Sequence, residues 1–154
     1  MAGVVAAVAI GSSLGDRQAH IAFAQAQLTP LLGGMRFSRT IETAPVDVPG
    51  EQTPFLNAAA VGTSSLEARA LLAALHAIED ARGRTRPYRN APRTLDLDLI
   101  LYGDLVLDSP DLVLPHPRFR ERAFVLEPLV EIGADLCDPV THRTVASLYA
   151  ALRR

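Results

Sequence analysis

Two aspartates lie two residues apart in the segment PRTLDLDLIL, at positions 96 and 98. The strict alternation with leucine predicts a β-strand in which Asp96 and Asp98 share one face, about 7 Å apart. At an effective dielectric constant of about 20, two such carboxylates repel each other by roughly 2–3 kcal/mol. A divalent cation or arginine side chains would offset this repulsion, so the pattern is one that Mg²⁺-dependent polyphosphate chemistry could use. An ordinary half-exposed strand would show the same alternation.

Arginine is concentrated directly before this strand. The twelve residues from 82 to 93 include no acidic residue and five arginines, which are Arg82, Arg84, Arg86, Arg89 and Arg93. Guanidinium groups bind phosphate oxygens bidentately, and each charge-assisted bond is worth about 1.5–3 kcal/mol. Taken alone, the segment could equally be a solvated basic loop. Next to two carboxylates, it favours a site for Mg²⁺ and a polyphosphate.

Two further groups of residues could contact a ligand. His116 lies between two prolines that restrict its backbone, and three arginines follow it at alternate positions in the segment LPHPRFRER. Phe55 and Asn57 are two apart in a predicted strand and therefore point the same way. An aromatic face beside an amide that donates and accepts suits a flat heterocycle. Each group could also be purely structural.

The composition predicts one soluble domain spanning residues 1–154, with 49% hydrophobic and 21% charged residues. A net charge of −2 gives no general attraction to nucleic acid or membranes. The single cysteine, Cys137, cannot form an internal disulfide, which fits a reducing compartment. The apolar stretch 4–10 is too short to span a bilayer and lacks the basic residues of a signal peptide. We expect a cytoplasmic monomer.

The predicted elements follow the order β-α-β-β-α-β. This order, with extra pieces appended, predicts an α+β domain of ferredoxin-like type, with a mainly antiparallel sheet and helices largely on one face. Two strands in succession without a helix between them argue against a Rossmann fold. The predicted strands are 4–11, 35–42, 55–63, the aspartate segment, 105–107 and 112–114, and the predicted helices follow Asp16 and cover about 66–81, 122–132 and 145–152.

Read in order, several segments resemble those of the 6-hydroxymethyl-7,8-dihydropterin pyrophosphokinases of folate biosynthesis. They are GSS, ETAP, FLNAA, RGRTR, PRTLDLDLILYG, LPHPR and RAFVLEPL. The resemblance extends from about Val8 to the C-terminal helix. It implies an ATP-dependent enzyme that transfers the β,γ-diphosphate of ATP to the hydroxymethyl oxygen of the pterin and releases AMP.

The resemblance also implies roles for individual residues. Asp96 and Asp98 would hold two Mg²⁺ ions against the phosphates of ATP, while Arg84 and Arg93 would stabilise the triphosphate and the charge that develops during transfer. No residue stands out as a general base, and phosphoryl transfer can proceed by positioning and electrostatics. The implied ATP contacts are Arg86, Leu99, Leu112, His116 and Arg122, and the implied pterin contacts are Thr43, Pro45, Val46, Phe55, Asn57 and Phe124, with the ring between the two phenylalanines.

Four positions differ from the family pattern. Ser13 replaces an asparagine and Asp47 a residue that is often glycine. Asn90 stands where some members have a tryptophan that covers the substrates, and His76 where some have a glutamine near the adenine. These differences concern substrate affinity and loop closure, and they leave the implied reaction unchanged.

Two other functions use the same residues. A metal-dependent phosphohydrolase would use the aspartates and arginines to direct water at a nucleotide, and it would need no pterin. A non-catalytic nucleotide-binding module would keep the arginines and tolerate loss of the carboxylates.

Overall fold

The computed structural model describes residues 3–13, 16–43, 55–83 and 95–153. Seven strands and four helices occur in these ranges, and a short 3₁₀ helix, Phe119–Glu121, precedes the third helix. The strands are β1 (Val4–Ser12), β2 (Gly33–Phe37), β3 (Ile41–Thr43), β4 (Phe55–Ser64), β5 (Asp96–Tyr102), β6 (Leu107–Ser109) and β7 (Leu112–Leu114), and the helices are α1 (Arg17–Leu28), α2 (Ala68–Gly83), α3 (Ala123–Gly133) and α4 (Val145–Leu152).

An antiparallel sheet in the order β2-β4-β1-β5 forms the centre of the fold, and β3 also pairs with β4. Helix α1 follows β1 and helix α2 follows β4, so the order confirms the ferredoxin-like prediction. Strands β6 and β7 form a separate antiparallel hairpin. No helix of the described ranges is both long and apolar enough to cross a membrane.

The predicted strand 35–42 is in fact two strands, β2 and β3, separated at Ser38. The N–H of Ser38 donates to the carbonyl of Ala59 at 2.9 Å, and the Oγ of Ser38 accepts from the N–H of Ala59 at 2.8 Å. The serine side chain therefore satisfies a backbone group of β4 where the ladder is interrupted. Because Met35, Phe37 and Ile41 would all lie on one face of a single extended strand, the sequence pattern did not reveal the break.

Helices cover both faces of the sheet, so the expectation of helices largely on one face is wrong. Helices α1 and α2 pack against the leucines at 95, 97 and 99 and the residues beside them on β1 and β4. Helices α3 and α4 pack against the opposite face, around Ala59, Val61 and Phe119. The second face is apolar in β1 and β4, and the C-terminal helices remove it from water.

A β-bulge at Ile100 changes the alternation of β5. Ala7 pairs with Leu101 and Val8 with Leu99, so Ile100 is the extra residue on β5. Leu99 belongs to the core under α1 and α2, whereas Ile100 and Leu101 both belong to the core under α3 and α4. The bulge lies beyond the two aspartates and therefore leaves their shared face unchanged.

A buried ion pair joins the 3₁₀ helix to the segment before α4. Asp138 is 0% exposed, and its carboxylate accepts from Nε and Nη2 of Arg120, from the N–H of Val140 at 3.0 Å and from Oγ1 of Thr141 at 2.7 Å. Burial alone would raise the pKa of Asp138. The hydrogen bonds from Arg120, Thr141 and Val140 outweigh burial and hold this pKa well below its usual range.

Replacing this carboxylate should destabilise the fold in a pH-dependent way. Asp138→Ala leaves the half-buried guanidinium of Arg120 and the exposed donors of Val140 and Thr141 without their acceptor. Because the half-buried charge of Arg120 loses its partner, we expect the free energy of unfolding at pH 7 to fall by about 2–4 kcal/mol. Because the folded-state pKa lies below the unfolded value of about 3.9, the stabilisation is present above that pH and is lost as the pH falls further. Urea denaturation at pH 7 and at pH 3 measures both effects.

The matched control is Asp135→Ala, which removes an exposed carboxylate from the same region. It should leave the stability within about 0.5 kcal/mol of the wild type. A difference between Asp138→Ala and the wild type that stays constant from pH 7 to pH 3 would contradict the assignment of the ion pair.

Candidate active site

The register of three strands places polar side chains in one row. Gly11 in the central strand pairs with Asn57 of β4 on one side and with Asp96 of β5 on the other. Directly opposed residues of an antiparallel pair lie on the same face, so Asn57 and Asp96 flank a position without a side chain. In the next row, Asp98 pairs with Ala9. The sheet therefore presents a floor of small residues between an amide and two half-buried carboxylates.

Three of the predicted pterin contacts come together at the edge of this floor. Asn57 is 6% exposed, and its Nδ2 donates to Oγ1 of Thr43 at 2.7 Å. Thr43 pairs with Phe55, whose ring is half-buried. A Cβ placed on Gly11 would lie 3.4 Å from Oδ1 of Asn57, so the amide oxygen borders the floor. This arrangement offers an aromatic surface and a buried amide to one ligand.

Helix α3 begins near the aspartates and ends against β4. Its last residue, Gly133, lies beside Val61. Arg122, directly before the helix, lowers the pKa of His116, whereas Asp96 raises it, so both charges lie near this histidine. Phe124 lies in the first turn and is 39% exposed, and the guanidinium carbon of Arg122 is 5.5 Å from the centre of its ring. The start of α3 thus presents an accessible aromatic ring and a cation at this end of the sheet.

His116 is held beside β5 by its backbone and by its ring. Its N–H donates to the carbonyl of Ile100 at 2.9 Å, and its Nδ1 accepts from the N–H of Arg118 at 3.2 Å. Burial lowers the pKa of His116, the charges of Arg122 and Arg118 lower it further, and Asp96 opposes them. The ring is therefore neutral near pH 7, and Nε2 carries the proton that it can donate.

A cleft of about 310 Å³ runs along the outer edge of β5, between α2 and the β6–β7 hairpin. Leucine side chains line much of it, together with three carboxylates and two imidazoles. This composition suits a ligand with an apolar part and a polar part, and an anionic group of that ligand would need a cation between it and the carboxylates. Three predicted ATP contacts, Leu99, Leu112 and His116, line the cleft together with Asp98, and further lining residues are Leu72, His76, Glu79 and Asp111.

Three residues of this site were not among those predicted from the sequence, namely Gly11, Glu79 and Asp111. Oε2 of Glu79, a buried side chain, accepts from the N–H of Leu97 at 2.7 Å. Because Leu97 separates the two aspartates, Glu79 connects α2 to the backbone that carries them. The helical spacing of Leu72, His76 and Glu79 was a signal that these residues share one face of α2.

Other predicted site residues, Arg84, Arg86, Arg93, Pro45 and Val46, lie outside the described residues. Within the described ranges, no group of three or more His, Cys, Asp or Glu side chains is arranged to hold a metal ion. The two aspartates of β5 nevertheless suit Mg²⁺, which keeps several waters and binds through one or two carboxylates together with substrate phosphates.

The comparison with known protein families decides the classification. The family model for 7,8-dihydro-6-hydroxymethylpterin-pyrophosphokinase matches residues 7–134, which include the aspartate strand, the cleft and helix α3. The chain belongs to this family. This confirms the family resemblance that the sequence segments indicated.

Individual relatives agree with this classification. The 2-amino-4-hydroxy-6-hydroxymethyldihydropteridine pyrophosphokinase of Bacillus subtilis is 40% identical over 83% of this chain and 77% of its own length. The folic acid synthesis protein fol1 of Pneumocystis carinii is 36% identical over 92% of this chain, which spans only 19% of that protein. The crystal structure of wild-type Plasmodium falciparum HPPK-DHPS superposes with a TM-score of 0.73 at 14% identity, over 97% of this chain and 44% of that one, and shows the same fold.

A methyl group at Gly11 should weaken binding of the flat heterocycle that the sequence predicts. In Gly11→Ala the new Cβ would sit at van der Waals distance from Asn57, so the fold tolerates it, but it would cover the floor between Asn57 and Asp96. With 6-hydroxymethylpterin as the probe, we expect the dissociation constant to rise about tenfold, since one methyl in a fitted pocket is worth about 1–3 kcal/mol. Fluorescence titration measures it.

Gly33→Ala is the matched control, because a Cβ there would make only an ordinary contact, 3.5 Å from the carbonyl of Thr63, in strand β2. It should bind the pterin as the wild type does. Equal affinities for Gly11→Ala and the wild type would show that the floor does not receive the ring.

Proposed function

We propose that the protein transfers the β,γ-diphosphate of ATP to the hydroxymethyl oxygen of 6-hydroxymethyl-7,8-dihydropterin, giving AMP and the pterin diphosphate for folate biosynthesis. One observation carries the proposal: Asn57, Gly11 and Asp96 share a row across three strands. A heterocycle bound at the amide would have its substituent beside the carboxylates. Membership of the pyrophosphokinase family supports the same reaction.

The proposed pterin site uses the amide and the two aromatic rings. Asn57, fixed by its hydrogen bond to Thr43, reads the edge of the ring, because a buried amide both donates and accepts. Phe55 and Phe124 supply apolar faces for stacking on the flat ring. Pro45 and Val46 complete the proposed site from outside the described residues. A ligand without matching hydrogen-bonding groups would leave the buried amide of Asn57 unpaired. Because this is costly, the site would favour the correct heterocycle.

The proposed ATP site is the cleft beside β5. Leu99 and Leu112 contact the adenine, and the triphosphate extends toward Asp98 and His116, which also line the cleft. Arg122 lies close enough to His116 to act on its charge and is placed at the same end. The neutral ring of His116 donates from Nε2 to a phosphate oxygen, and Arg122 adds a positive charge. Arg84, Arg86 and Arg93 are proposed as further phosphate contacts. Asp96 and Asp98 would hold two Mg²⁺ ions, which would neutralise phosphate charge and fix the geometry of the triphosphate.

In the proposed reaction, the hydroxymethyl oxygen forms a bond to the β-phosphorus while the bond from that phosphorus to the oxygen bridging the α-phosphorus breaks. The hydroxyl proton passes to solvent water, and AMP leaves with the bridging oxygen. The residues contribute by alignment and by stabilising negative charge, which is most of what phosphoryl transfer requires. Asn57 aligns the acceptor, His116 and Arg122 align the donor, and both meet at the aspartate pair.

We also propose that the protein is a monomer and acts in the cytoplasm on small molecules, without nucleic acid or a membrane as a partner. A low net charge and a single thiol, which a reducing compartment keeps reduced, support this view. Size-exclusion chromatography with light scattering tests the oligomeric state, and a dimer at micromolar concentration would contradict it.

A product assay separates the proposal from its alternatives. The protein is incubated with ATP and Mg²⁺, with and without 6-hydroxymethyl-7,8-dihydropterin, and the nucleotides are quantified. AMP that forms only with the pterin supports diphosphate transfer. Pterin-independent release of ADP or AMP would favour a phosphohydrolase, and binding without turnover would favour a nucleotide-binding module.

Removing either carboxylate of the pair should abolish most of the activity. For Asp96→Asn and Asp98→Asn we expect kcat to fall at least several hundredfold, equivalent to about 3–4 kcal/mol of lost metal-mediated stabilisation. Asp104→Asn is the matched control, since Asp104 is exposed in the turn after β5, and it should retain wild-type kcat. A loss of less than about tenfold in both variants would exclude a catalytic role for the pair.

A further inference from the structure

A bidentate ion pair joins the two walls of the ATP cleft. Nε of Arg69, on α2, donates to Oδ2 of Asp111 at 2.8 Å, and its Nη2 lies 3.3 Å from Oδ1 of the same carboxylate. Nη2 also donates to Oγ of Ser109 at 3.0 Å, and that hydroxyl donates to Oδ1 of Asp111 at 2.8 Å. We call Arg69, Ser109 and Asp111 the hairpin clamp, because the last two belong to the β6–β7 hairpin.

The hairpin clamp lies at the end of the cleft away from the catalytic aspartates. Helix α2 and strand β5 run in opposite directions, because Glu79 near the end of α2 contacts Leu97 near the start of β5, whereas Tyr102 at the end of β5 donates to the carbonyl of Leu66 before α2. Arg69 and Glu79 are ten residues apart, or about 15 Å along the helix axis. A nucleotide with its phosphates at Asp98 therefore extends its base toward the clamp.

The hairpin depends on contacts outside itself for its position. Its strands have only three residues each, and a hairpin of this kind is marginally stable alone. Leu112 is buried, but Val113 is 37% exposed and the turn between the strands is exposed as well. Because the guanidinium of Arg69 holds both carboxylate oxygens of Asp111, it fixes the orientation of the hairpin relative to α2 as well as its distance. The ion pair itself is exposed, so its effect on global stability is small.

From this geometry we propose that Arg69 is a positioning residue for the nucleotide base: through Asp111 it holds the hairpin wall that contacts the base, and it takes no part in phosphate binding or transfer. The inference rests on the proposed function, because it requires that the cleft bind ATP. Loss of the clamp then weakens ligands that have a base and leaves ligands that are phosphate alone unaffected. A general loss of folding would weaken both.

The test compares Arg69→Ala with the wild type in two titrations, one with Mg²⁺ and α,β-methylene-ATP, the other with Mg²⁺ and inorganic tripolyphosphate. We expect the dissociation constant of the nucleotide analogue and the KM for ATP to rise about threefold to fivefold, because an exposed ion pair such as the clamp contributes little more than this to the position of the hairpin. The affinity for tripolyphosphate, the kcat, the KM for the pterin and the melting temperature should not change. Arg143→Ala, which removes an exposed arginine beside α4, is the matched control and should resemble the wild type.

If the wild type turns over ATP and Arg69→Ala has the same KM for ATP, the clamp does not position the base. Equal weakening of tripolyphosphate and nucleotide would show that Arg69 acts on the whole cleft, which also contradicts the inference. A wild type that neither binds the analogue nor turns over would refute the proposed function, and the inference with it.

Discussion

Hydrogen bonding of β1 to β4 on one side and to β5 on the other sets the register on which the site depends. Gly11 is opposite both Asn57 and Asp96, so the amide and the first carboxylate share a face and a row. A slip of one residue in either pairing would move one of them to the face that packs against α1 and α2. The two cores oppose such a slip, because it would bring leucines of β5 into the site and bury carboxylates without partners.

Strand β5 is an edge strand, so it can contribute both to the row of polar residues on the sheet and to the cleft beside it. One face carries the aspartates, while its outer edge offers backbone groups to Glu79 and to His116. The same edge becomes one side of the cleft, with α2 and the hairpin as the walls. In the proposed function, the donor and acceptor substrates approach the carboxylates from different sides of this strand. His116, kept neutral by burial and by Arg122, can donate a hydrogen bond there without requiring a counter-ion.

Local patterns in the sequence predicted the parts of the site that lie on single strands. The alternation around Asp96 and Asp98, and the spacing of Phe55 and Asn57, correctly gave strands and shared faces. The order of elements gave the ferredoxin-like topology. The sequence did not show that Glu79 reaches the backbone of Leu97, or that helices cover the second face, because these contacts join residues distant in the chain. The break at Ser38 was missed because its neighbours keep the period of a strand.

In the proposed reaction, the acceptor bound at Asn57 and the phosphates bound at Asp98 meet at the aspartate pair. Transfer between them can be followed with ATP that carries ³²P at the β-phosphate, in a single turnover with 6-hydroxymethyl-7,8-dihydropterin and Mg²⁺. We expect the label to move to the pterin, with unlabelled AMP as the other product. Label that remains in ADP, or that is released as inorganic phosphate or diphosphate, would show that the diphosphate is not transferred to the pterin.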